Sequence, residues 1–435
     1  MPQMDRLHQP VAVRQARLSL ALLLAINLFN YIDRYVLAAL EPRIQQTLFP
    51  NRPVNDPHVL AMMGSLATAF IVSYMVMAPI FGWLADRMSR WLLIGISVIL
   101  WSLATGGSGL APTFAILLLT RLFVGVGEAG YGPAAPSLIA DFFPIARRGS
   151  AMAWCYMAIP VGSALGYTLG GKIGSIFGWR EAFLLVAPPG LLLGLVCFLC
   201  KTPRRGASDD ANAPPAAARW ADYLPLLRTP SYLLDTAGMA AVTFAIGGIS
   251  YWMPHYIGEV RHAGELGQVN LIFGIITVLA GLSATYLGGL AGDLLRPRFG
   301  GSYFLVSGIG ILLSCPLILL MLAVPFPWAW GVIFAAEFCL FFNTGPSNTI
   351  LANVTHPSIR ATAFALNILI IHALGDGPSP PILGNIAGQF GWNAAFGLIT
   401  AITALGGVFW LIGVRFLPAD TEAVPRRINS SIKSA

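Results

Sequence analysis

Long apolar stretches recur along the whole chain, and no other feature constrains the fold as strongly. A transmembrane helix needs about 20 apolar residues to cross about 30 Å of hydrocarbon. Twelve stretches reach that length, at 18–40, 60–85, 90–111, 113–141, 150–175, 181–200, 231–257, 267–292, 301–323, 327–353, 360–385 and 393–416. Gly and Pro occur inside these runs, which suits helices and not the alternating strands of a membrane barrel. The pattern predicts an all-α membrane protein with twelve transmembrane helices.

Composition and charge agree with a protein that lies in a bilayer. Only 10% of the 435 residues are charged, against about 25% in an ordinary soluble domain. Of the 26 Lys and Arg residues, 19 fall on one side of the predicted spans, five fall on the other side and two lie within spans. The positive-inside rule therefore predicts a multi-pass protein of the inner (plasma) membrane with both termini in the cytoplasm. Basic residues scattered over short loops do not indicate nucleic-acid binding.

The sequence has a start that resembles a signal peptide and a CxxC pair, and both have simpler structural interpretations. Arg14 and Arg17 precede an apolar run, as in a signal peptide, but this run is too long for an h-region and predicts an uncleaved first span. Cys197 and Cys200 have CxxC spacing inside a predicted span, where packing is favoured over metal or redox chemistry. The sequence contains no zinc spacing, nucleophile elbow or phosphate-binding loop. We therefore expect a protein that is not an enzyme and uses neither a cofactor nor a metal.

The chain consists of two halves that repeat one pattern. RGSAMA from Arg148 matches RATAFA from Arg360 at an offset of 212, and FGWREAF from Phe177 matches FGWNAAF from Phe390 at an offset of 213. We predict an N-terminal six-helix half at 1–200, a cytoplasmic linker at 201–230, a C-terminal six-helix half at 231–418 and a cytoplasmic tail at 419–435. An offset of six helices makes the duplication parallel. Two such halves around a cavity at the bilayer midplane are typical of a rocking transporter.

Several of these segments resemble a known family. GWLADRMSR at 82–90 resembles the loop signature of the major facilitator superfamily, and RLFVGVGEAGYGPAAPSLIADFFP at 121–144 resembles that superfamily's fourth-helix motif in its Spinster-like version. NYIDR, IPVGSALGYTLGG, GGISYWMPHYI and HALGDGPSP also resemble Spinster-like proteins. The resemblance implies the major facilitator fold, with twelve transmembrane helices in two pseudo-symmetric six-helix halves. The compact chain indicates a bacterial member, whereas eukaryotic members are associated with export of lysolipids and sphingoid phosphates.

Four charged residues lie inside the predicted spans of the first half, namely Asp33, Arg34, Arg121 and Glu128. Their charges sum to zero, as a mutually paired set in a low dielectric requires. Because Asp33 and Arg34 are adjacent, helical geometry directs them about 100° apart, toward different neighbours. We predict that Arg34 pairs with Glu128 in one state and that Asp33 competes for the guanidinium groups in the other. A static clamp is the alternative, but buried acids in membrane helices commonly mark proton or substrate pathways.

Polar and aromatic residues near this network are candidates for the substrate cavity. Arg34 continues a stripe on the first span that contains Asn27, Asn30 and Tyr31. Arg34 and Arg121 can hold an anionic headgroup while aromatic rings hold an attached chain. The other cavity candidates are Tyr74, Tyr131, Trp252, Asn343, His372 and Asp376.

The second half carries a different set of polar residues. Glu337 stands 209 residues after Glu128, at the equivalent place in the repeat. The predicted second-half spans have no Lys or Arg in their interior, so Glu337 is expected to be protonated at rest or to be stabilised by a partner from the first half. A titratable site and a neutral acid with a packing role both remain open. His372 and Asp376 lie one helical turn apart, and NTGPSN from Asn343 predicts a polar break in the tenth span.

A charged segment ends the second span, and a weaker copy of it ends the eighth. The family resemblance implies that this segment is a latch that closes the cytoplasmic side, and charges that only set topology are the alternative. A carboxylate at this place can face the positive end of a neighbouring helix, an interaction of about 0.3–1 kcal/mol. The predicted latch residues are Gly82, Asp86, Arg87, Arg90, Asp293 and Arg296.

Together these features predict a secondary transporter that works by alternating access and is driven by protons or sensitive to them. The sequence contains no ATP motif, so the energy must come from a gradient. The predicted substrate is an amphipathic organic anion of lysolipid or sphingoid-phosphate type. Proton-coupled transport of small carboxylates or drugs, and a lipid scramblase or channel, are the alternatives. The expected partners are the bilayer, protons and this substrate, and the protein is expected to act as a monomer.

Overall fold

The computed structural model describes residues 5–85, 87–143, 151, 154–155, 158–203, 226–355 and 360–423. Fifteen α-helices have both ends within these residues and are numbered here in chain order. They are α1 Asp5–Leu48, α2 Pro57–Ala85, α3 Arg90–Gly109, α4 Phe114–Glu128, α5 Tyr131–Phe142, α6 Ala158–Ile176, α7 Trp179–Cys197, α8 Pro230–His255, α9 Leu266–Leu295, α10 Ser302–Ala323, α11 Ala329–Phe341, α12 Thr344–Val354, α13 Arg360–Ile371, α14 Ser379–Phe390 and α15 Trp392–Gly413. The π-helical turns Tyr256–Val260 and His372–Asp376 follow α8 and α13. The described residues contain no β-strand, which agrees with the predicted all-α class.

Within the described residues, each predicted span coincides with one helix or with two helices in series. Among the described residues, nine helical stretches are long and apolar enough to cross a membrane. The other three predicted spans fall on α6, on α11 with α12, and on α13 with α14. Glycines and Lys172 make α6 less apolar, whereas the other two spans are interrupted and their separate helices are short. The all-α membrane fold predicted from the apolar runs is confirmed.

The interruptions of the fourth and tenth spans repeat each other. α4 ends at Glu128 and α5 begins at Tyr131, and the matching end and start, Phe341 and Thr344, lie 213 residues later. Each second helix opens with a Gly-Pro pair, as YGP in α5 and TGP in α12. Proline lacks the N–H group that would continue the hydrogen-bond ladder. The break at NTGPSN confirms the predicted interruption of the tenth span.

The repeated FGW motif makes the same turn in both halves. Gly178 has φ 112° immediately before α7, and Gly391 has φ 84° immediately before α15. Residues with a β-carbon rarely adopt such angles, so glycine lets one helix end and the next begin without a longer loop. This shared turn explains why the FGW motif recurs at a fixed offset in the sequence.

The described chain forms two compact units. Unit 1 comprises the described residues within Met1–Pro50, Ala69–Pro214 and Glu265–Gly274. Unit 2 comprises those within Asn51–Thr68, Pro215–Gly264 and Ile275–Ala435. The first turns of α2 therefore belong to unit 2, and the first turns of α9 belong to unit 1. The domain boundary predicted at 201–230 stays a prediction, because residues 204–225 lie outside the described ranges.

In unit 1, α6 packs closely along α1 through small residues. A β-carbon on Gly162 would lie 2.7 Å from the Leu28 carbonyl oxygen, and a β-carbon on Gly166 would lie 2.7 Å from that of Ile32. Backbones approach this closely only where the facing side chains are small. The contact fixes the position of α1, the helix that carries Asp33 in the predicted charge network.

In unit 2, the first turns of α2 pack against α14 and α8. A β-carbon on Gly64 would lie 2.5 Å from the carbonyl carbon of Pro380. The Tyr251 hydroxyl of α8 donates to the Met63 carbonyl at 2.5 Å. The Thr68 hydroxyl donates at 2.5 Å to a carbonyl in the short segment between the second π turn and α14. These contacts hold the first turns of α2 against α8, α14 and the segment that precedes α14.

Gly125 of α4 faces α2, and we predict that a methyl group added there destabilises unit 1. A β-carbon at Gly125 would overlap the Phe70 carbonyl oxygen and the Ser73 Oγ. Overpacking costs about 1–3 kcal/mol, so Gly125→Ala should lower the thermal unfolding midpoint of the purified protein.

Gly331 of α11 provides the matched control, because a β-carbon there meets no described atom within 4 Å. Alanine is a better helix former than glycine by about 1 kcal/mol, so Gly331→Ala should leave the midpoint unchanged or raise it. Equal midpoints for the two alanine variants would contradict the prediction, because α2 and α4 could then move apart without loss of stability.

Candidate functional site

Arg34 and Glu128 form the central ion pair of unit 1. The Arg34 Nε donates to the Glu128 Oε2 at 2.8 Å and joins α1 to the C-terminal end of α4. The Glu128 side chain is fully buried, whereas 22% of the Arg34 side chain is exposed. The pair confirms the contact predicted from the two helix stripes. Removing one partner of a buried pair costs about 3–5 kcal/mol, so Glu128 holds the Arg34 guanidinium in place.

Asp33 contacts other neighbours, as helical geometry predicts. Its Oδ2 accepts a hydrogen bond from the Thr105 hydroxyl of α3, and its Oδ1 lies 3.8 Å from the Arg121 Nη1. The Arg121 Nη2 donates to the Ser108 hydroxyl at 2.5 Å. The side chains of Asp33 and Arg121 are each 2% exposed. The four charges therefore form two pairs, a buried one and one whose arginine is partly exposed. Neither hydroxyl partner on α3 is predicted from the sequence.

Three aromatic rings surround the Arg34 guanidinium. Its Cζ lies 5.0, 4.8 and 5.5 Å from the ring centroids of Tyr31, Phe70 and Tyr74. Rings at about 6 Å or less attract a guanidinium through the negative potential of their faces. Tyr31 and Tyr74 are predicted cavity residues, whereas Phe70 was missed because a phenylalanine in an apolar run carries no signal of its own. The result is a partly exposed cation among apolar faces, suited to a ligand with an anionic head and an apolar chain.

The remaining cavity candidates of the first half lie on α1 or hold it in place. Asn30 is 3% exposed and lies on the same stripe of α1 as Arg34, near Glu128. The Asn27 Nδ2 donates to the Cys155 carbonyl at 2.9 Å. The Tyr131 hydroxyl donates at 2.8 Å to a backbone carbonyl of α1. Asn27 and Tyr131 therefore hold the helix that presents Arg34.

In unit 2, Glu337 of α11 is a buried acid with one weak hydrogen bond. Its side chain accepts from the Thr277 hydroxyl of α9 at 3.3 Å, and the residue is 4% exposed. Among the described residues, its Oε2 has no hydrogen-bond partner and no Lys or Arg forms an ion pair with it. An acid in such a place can change charge without breaking a salt bridge.

The other cavity candidates of the second half differ in exposure, since two are buried and two are partly exposed. Trp252 is 1% exposed and donates its Nε1 to the Pro380 carbonyl at 2.8 Å. Asn343 is 4% exposed, and its Nδ2 donates at 2.5 Å to a carbonyl near the end of α11. His372 and Asp376 are different, since their paired side chains are each 23% exposed. Their Nδ1 and Oδ1 atoms lie 2.8 Å apart.

A buried acid of α8 was missed by the sequence analysis. Asp235 is 0% exposed, and its Oδ1 accepts from the Trp410 Nε1 of α15 at 3.0 Å. Nearby, the Asn367 Nδ2 donates to the Thr236 hydroxyl at 2.9 Å and links α13 to α8. The signal that identifies Asp33, a lone acid inside an apolar run, is also present at Asp235. These contacts bind α8, α13 and α15 into one packed group.

The predicted latch segment is described in part, because Asp86 lies outside the described residues. Arg90 is buried and forms an ion pair with Asp141 of α5, a partner that the sequence analysis did not assign. Its guanidinium also donates to the Ser137 and Pro203 carbonyls at 3.3 Å each. Arg90 thereby joins the start of α3 to the end of α5 and to the chain that leaves α7.

The other latch candidates make local contacts. The Arg87 guanidinium lies 4.1 Å from the Trp83 ring centroid and donates to the Trp83 carbonyl at 3.2 Å. A β-carbon on Gly82 would make an ordinary contact with Pro133 at 3.8 Å. In the second copy, Asp293 accepts from the Tyr303 hydroxyl at 2.7 Å, and the Arg296 guanidinium lies 5.7 Å from the same ring.

The described residues contain no group of three or more His, Cys, Asp and Glu side chains that could hold a metal ion. Unit 1 offers buried acids and one partly exposed guanidinium that can attract an anion, and unit 2 offers buried acids.

The sequence is similar to that of known membrane transporters. The family model described as Major Facilitator Superfamily matches residues 23–380. The sequence is 35% identical over 457 residues to Protein spinster homolog 1 of Homo sapiens, which covers 97% of this chain and 85% of that protein. It is 33% identical over 445 residues to Protein spinster homolog 3 of Danio rerio, which covers 95% and 88%.

Solved structures share the fold. A bacterial homolog to the human lysosomal transporter Spinster, in an inward-facing and unoccupied conformation, matches with a TM-score of 0.77 and 22% identity over 95% of this chain and 98% of that one. A D-xylose–proton symporter matches with a TM-score of 0.71 and 15% identity over 90% and 96%. At these identities the likeness shows the fold alone.

Proposed function

We propose that this chain, which belongs to the Spinster family of the major facilitator superfamily, moves an amphipathic organic anion across the membrane by alternating access. It is a transporter of the Spinster type and not an enzyme. The substrate and the coupling to protons are the parts that we propose. We also propose that it acts as a monomer in the inner membrane, with both termini in the cytoplasm and the segment around Asp86 as its latch.

The observation that carries the proposed substrate class is the environment of Arg34. Its guanidinium is partly exposed, and Tyr31, Phe70 and Tyr74 lie around it. A guanidinium binds phosphate and carboxylate oxygens through paired N–H groups. The flanking rings offer apolar surface to a chain attached to that anion. A lysolipid or sphingoid phosphate has both an anionic group for Arg34 and an apolar chain for the rings. A small carboxylate would contact only the Arg34 guanidinium.

Proton coupling is supported by the balance of charge. Asp33, Arg34, Arg121 and Glu128 sum to zero in two pairs. When an anionic headgroup binds Arg34, the set gains a negative charge that a low-dielectric site disfavours. Protonation of one acid restores neutrality, so substrate and proton binding favour each other. Asp33 and Glu128 are the acids placed to take that proton, and Glu337 is a third site in unit 2.

Transport by purified protein in liposomes tests the proposal. A fluorescent lysophosphatidic acid, a short dicarboxylate and a neutral monoacylglycerol are compared with and without a pH gradient. We expect saturable movement of the anionic lipid that responds to the gradient, and no movement of the neutral lipid. Movement of the dicarboxylate alone would favour the small-molecule alternative. Non-saturable, pH-independent movement of both lipids would identify a scramblase.

Replacing Glu337 with glutamine should weaken the pH dependence of transport and leave folding intact. Glutamine mimics the neutral acid and still accepts the Thr277 hydrogen bond. One titrating site changes a rate by at most about tenfold per pH unit, so the variant's profile should be flatter by up to that factor. Rates measured between pH 5.5 and 8.5 in liposomes give the profile.

The control for this prediction is Asp235→Asn, a neutral replacement of another buried acid of unit 2. Its amide oxygen can still accept from Trp410, and the wild-type pH profile is expected. If Glu337→Gln also keeps the wild-type profile, Glu337 is only a packing residue.

A further inference from the structure

We infer that Gly132 is a positioning residue of the Arg34 site, because the absence of a side chain there lets the Tyr74 ring lie beside the guanidinium and set how tightly an amphipathic anion binds. The inference rests on the proposed function, since it assigns a determinant of affinity to the same site. Gly132, Tyr74 and Arg34 all belong to unit 1.

One edge of the Arg34 guanidinium is occupied by a neighbour, and another edge is available. Its Nε donates to the Glu128 Oε2 at 2.8 Å. Among the described residues, no acceptor hydrogen-bonds its Nη1 or Nη2. A guanidinium binds phosphate and carboxylate oxygens through two parallel N–H groups. An anion can therefore bind the edge formed by Nη1 and Nη2, and the rings around the guanidinium then lie next to the chain attached to that anion.

Two of the three rings around Arg34 come from one face of α2. Phe70 and Tyr74 are four residues apart, which places them on the same side of the helix, and their ring centroids lie 6.3 Å apart. Phe70 is buried, whereas Tyr74 is half-buried. The Tyr74 centroid lies 5.5 Å from the Arg34 Cζ, the longest of the three distances. It is close to the limit of about 6 Å for this attraction, so the Tyr74 contact is the most sensitive to a small displacement.

Gly132, the second residue of α5, faces the end of the Tyr74 side chain. A β-carbon on Gly132 would lie 2.6 Å from the Tyr74 hydroxyl oxygen and 3.7 Å from the Tyr74 Cζ. No other described residue outside that stretch of α5 would lie within 4 Å of it. The hydroxyl would have to move to at least 3.4 Å, where ordinary contacts begin. Because the ring is rigid, it must rotate from its rotamer or the two helices must separate.

The stretch of chain that carries Gly132 also carries the partner of Arg34. The two residues between α4 and α5 keep right-handed helical angles, with φ −59° and ψ −23° for the first and φ −79° and ψ −22° for the second. Glu128 and Gly132 are therefore about one helical turn apart, on the same side of the chain. Glu128 holds the Arg34 Nε, and Gly132 admits the Tyr74 ring. A single turn thus determines both the orientation of the guanidinium and the place of the ring beside it.

Rotation of the Tyr74 ring from this place should weaken binding in either direction. A ring that turns away from Arg34 leaves the range of the cation–π attraction, and a ring that turns toward it occupies the space that the ligand's chain needs. We expect Gly132→Ala to lower the affinity about tenfold, the size of one such contact out of water. Tyr74→Phe removes the hydroxyl and leaves the contact at 3.7 Å, which is ordinary. In that background the added methyl group should have no effect.

A double-mutant cycle on the full-length protein in nanodiscs tests the inference, with radiolabelled dodecyl phosphate as the ligand. Dissociation constants are measured for the wild type, Gly132→Ala, Tyr74→Phe and the double variant. We expect Gly132→Ala alone to bind about tenfold more weakly than the wild type. The double variant should stay within about twofold of Tyr74→Phe. Tyr74→Ala, which removes the ring directly, should also bind about tenfold more weakly.

Gly174→Ala is the matched control, because a β-carbon there would also meet the end of one side chain. That side chain is Leu40, whose Cγ would lie at an ordinary 3.6 Å. Leu40 is six residues from Arg34, about 9 Å along α1. Gly174→Ala should keep the wild-type affinity, and the unfolding midpoint of each variant reports any general loss of stability.

Equal loss of affinity from Gly132→Ala in both backgrounds would overturn the inference, because the glycine would then act on the packing of α5 and not on Tyr74. A Tyr74→Ala protein with wild-type affinity would also overturn it, and this measurement does not depend on the folding of Gly132→Ala. A wild type that does not bind dodecyl phosphate would overturn the proposed function, and this inference with it.

Discussion

Replacing Asp33 with asparagine is expected to abolish proton-driven accumulation of substrate while substrate exchange continues. Asparagine has the shape of the protonated acid and can still accept the Thr105 hydrogen bond. Arg121 keeps its contact to Ser108, but the network can no longer gain or lose a proton at this position. A change of 1.4 kcal/mol in the balance of two states alters their ratio tenfold. Loss of a proton-dependent contribution of this size is enough to uncouple transport.

The measurement compares two assays on the same proteoliposomes. Counterflow exchange reports binding and alternating access without a proton gradient, and uphill uptake at an imposed gradient reports coupling. Glu41→Gln, a neutral replacement of another buried acid of α1, is the control and should keep both activities. A folded Asp33→Asn protein that still concentrates substrate with the wild-type pH profile would rule the mechanism out. A protein that merely loses stability would favour a static clamp.

Replacing Arg34 with alanine should remove both substrate binding and coupling. A hydrogen bond to a charged group contributes about 1.5–3 kcal/mol, so the affinity for an anionic lipid should fall by about 10- to 150-fold. Arg34→Lys should recover part of the binding, because lysine keeps the charge but loses the planar, bidentate guanidinium. Titration of a fluorescent lysophosphatidic acid into the purified variants gives the dissociation constants.

Arg34→Ala also leaves Glu128 buried without its partner, and the resulting destabilisation needs its own control. The double variant with Glu128→Gln removes the stranded carboxylate, so the protein should regain its thermal midpoint without regaining substrate affinity. Recovery of binding in the double variant would show that Arg34 acts by neutralising Glu128 and does not touch the substrate.

A large part of the candidate site follows from spacing along single helices. The positions of Asn30, Tyr31 and Arg34 on one stripe, and of Arg121 and Glu128 on another, depend only on the helical repeat. The pairing of Arg34 with Glu128 then follows from the cost of burying an unpaired charge. The break of the tenth span is equally local, since the Gly-Pro pair after Asn343 prevents a continuous helix.

Other contacts depend on how neighbouring helices are rotated and shifted along their axes. Thr105 becomes a partner of Asp33, and Trp410 a partner of Asp235, only when α3 and α15 take their places. A threonine or tryptophan inside an apolar run looks the same whether it meets a carboxylate or lipid. Residues of this kind were therefore missed, although their chemistry is simple.

The sequence by itself determined the all-α membrane class, the positions of the spans, the duplication and the charged residues that must find partners. Hydrophobic length, helical periodicity and the backbone limits of Gly and Pro act within a few turns of chain, so they can be read locally. Only the tertiary structure decided that the first turns of α2 and α9 belong with the opposite halves of the sequence. It also decided that Arg90 pairs with Asp141 and that Arg34 remains partly exposed. Such outcomes depend on the register between helices far apart in sequence, which no local pattern encodes.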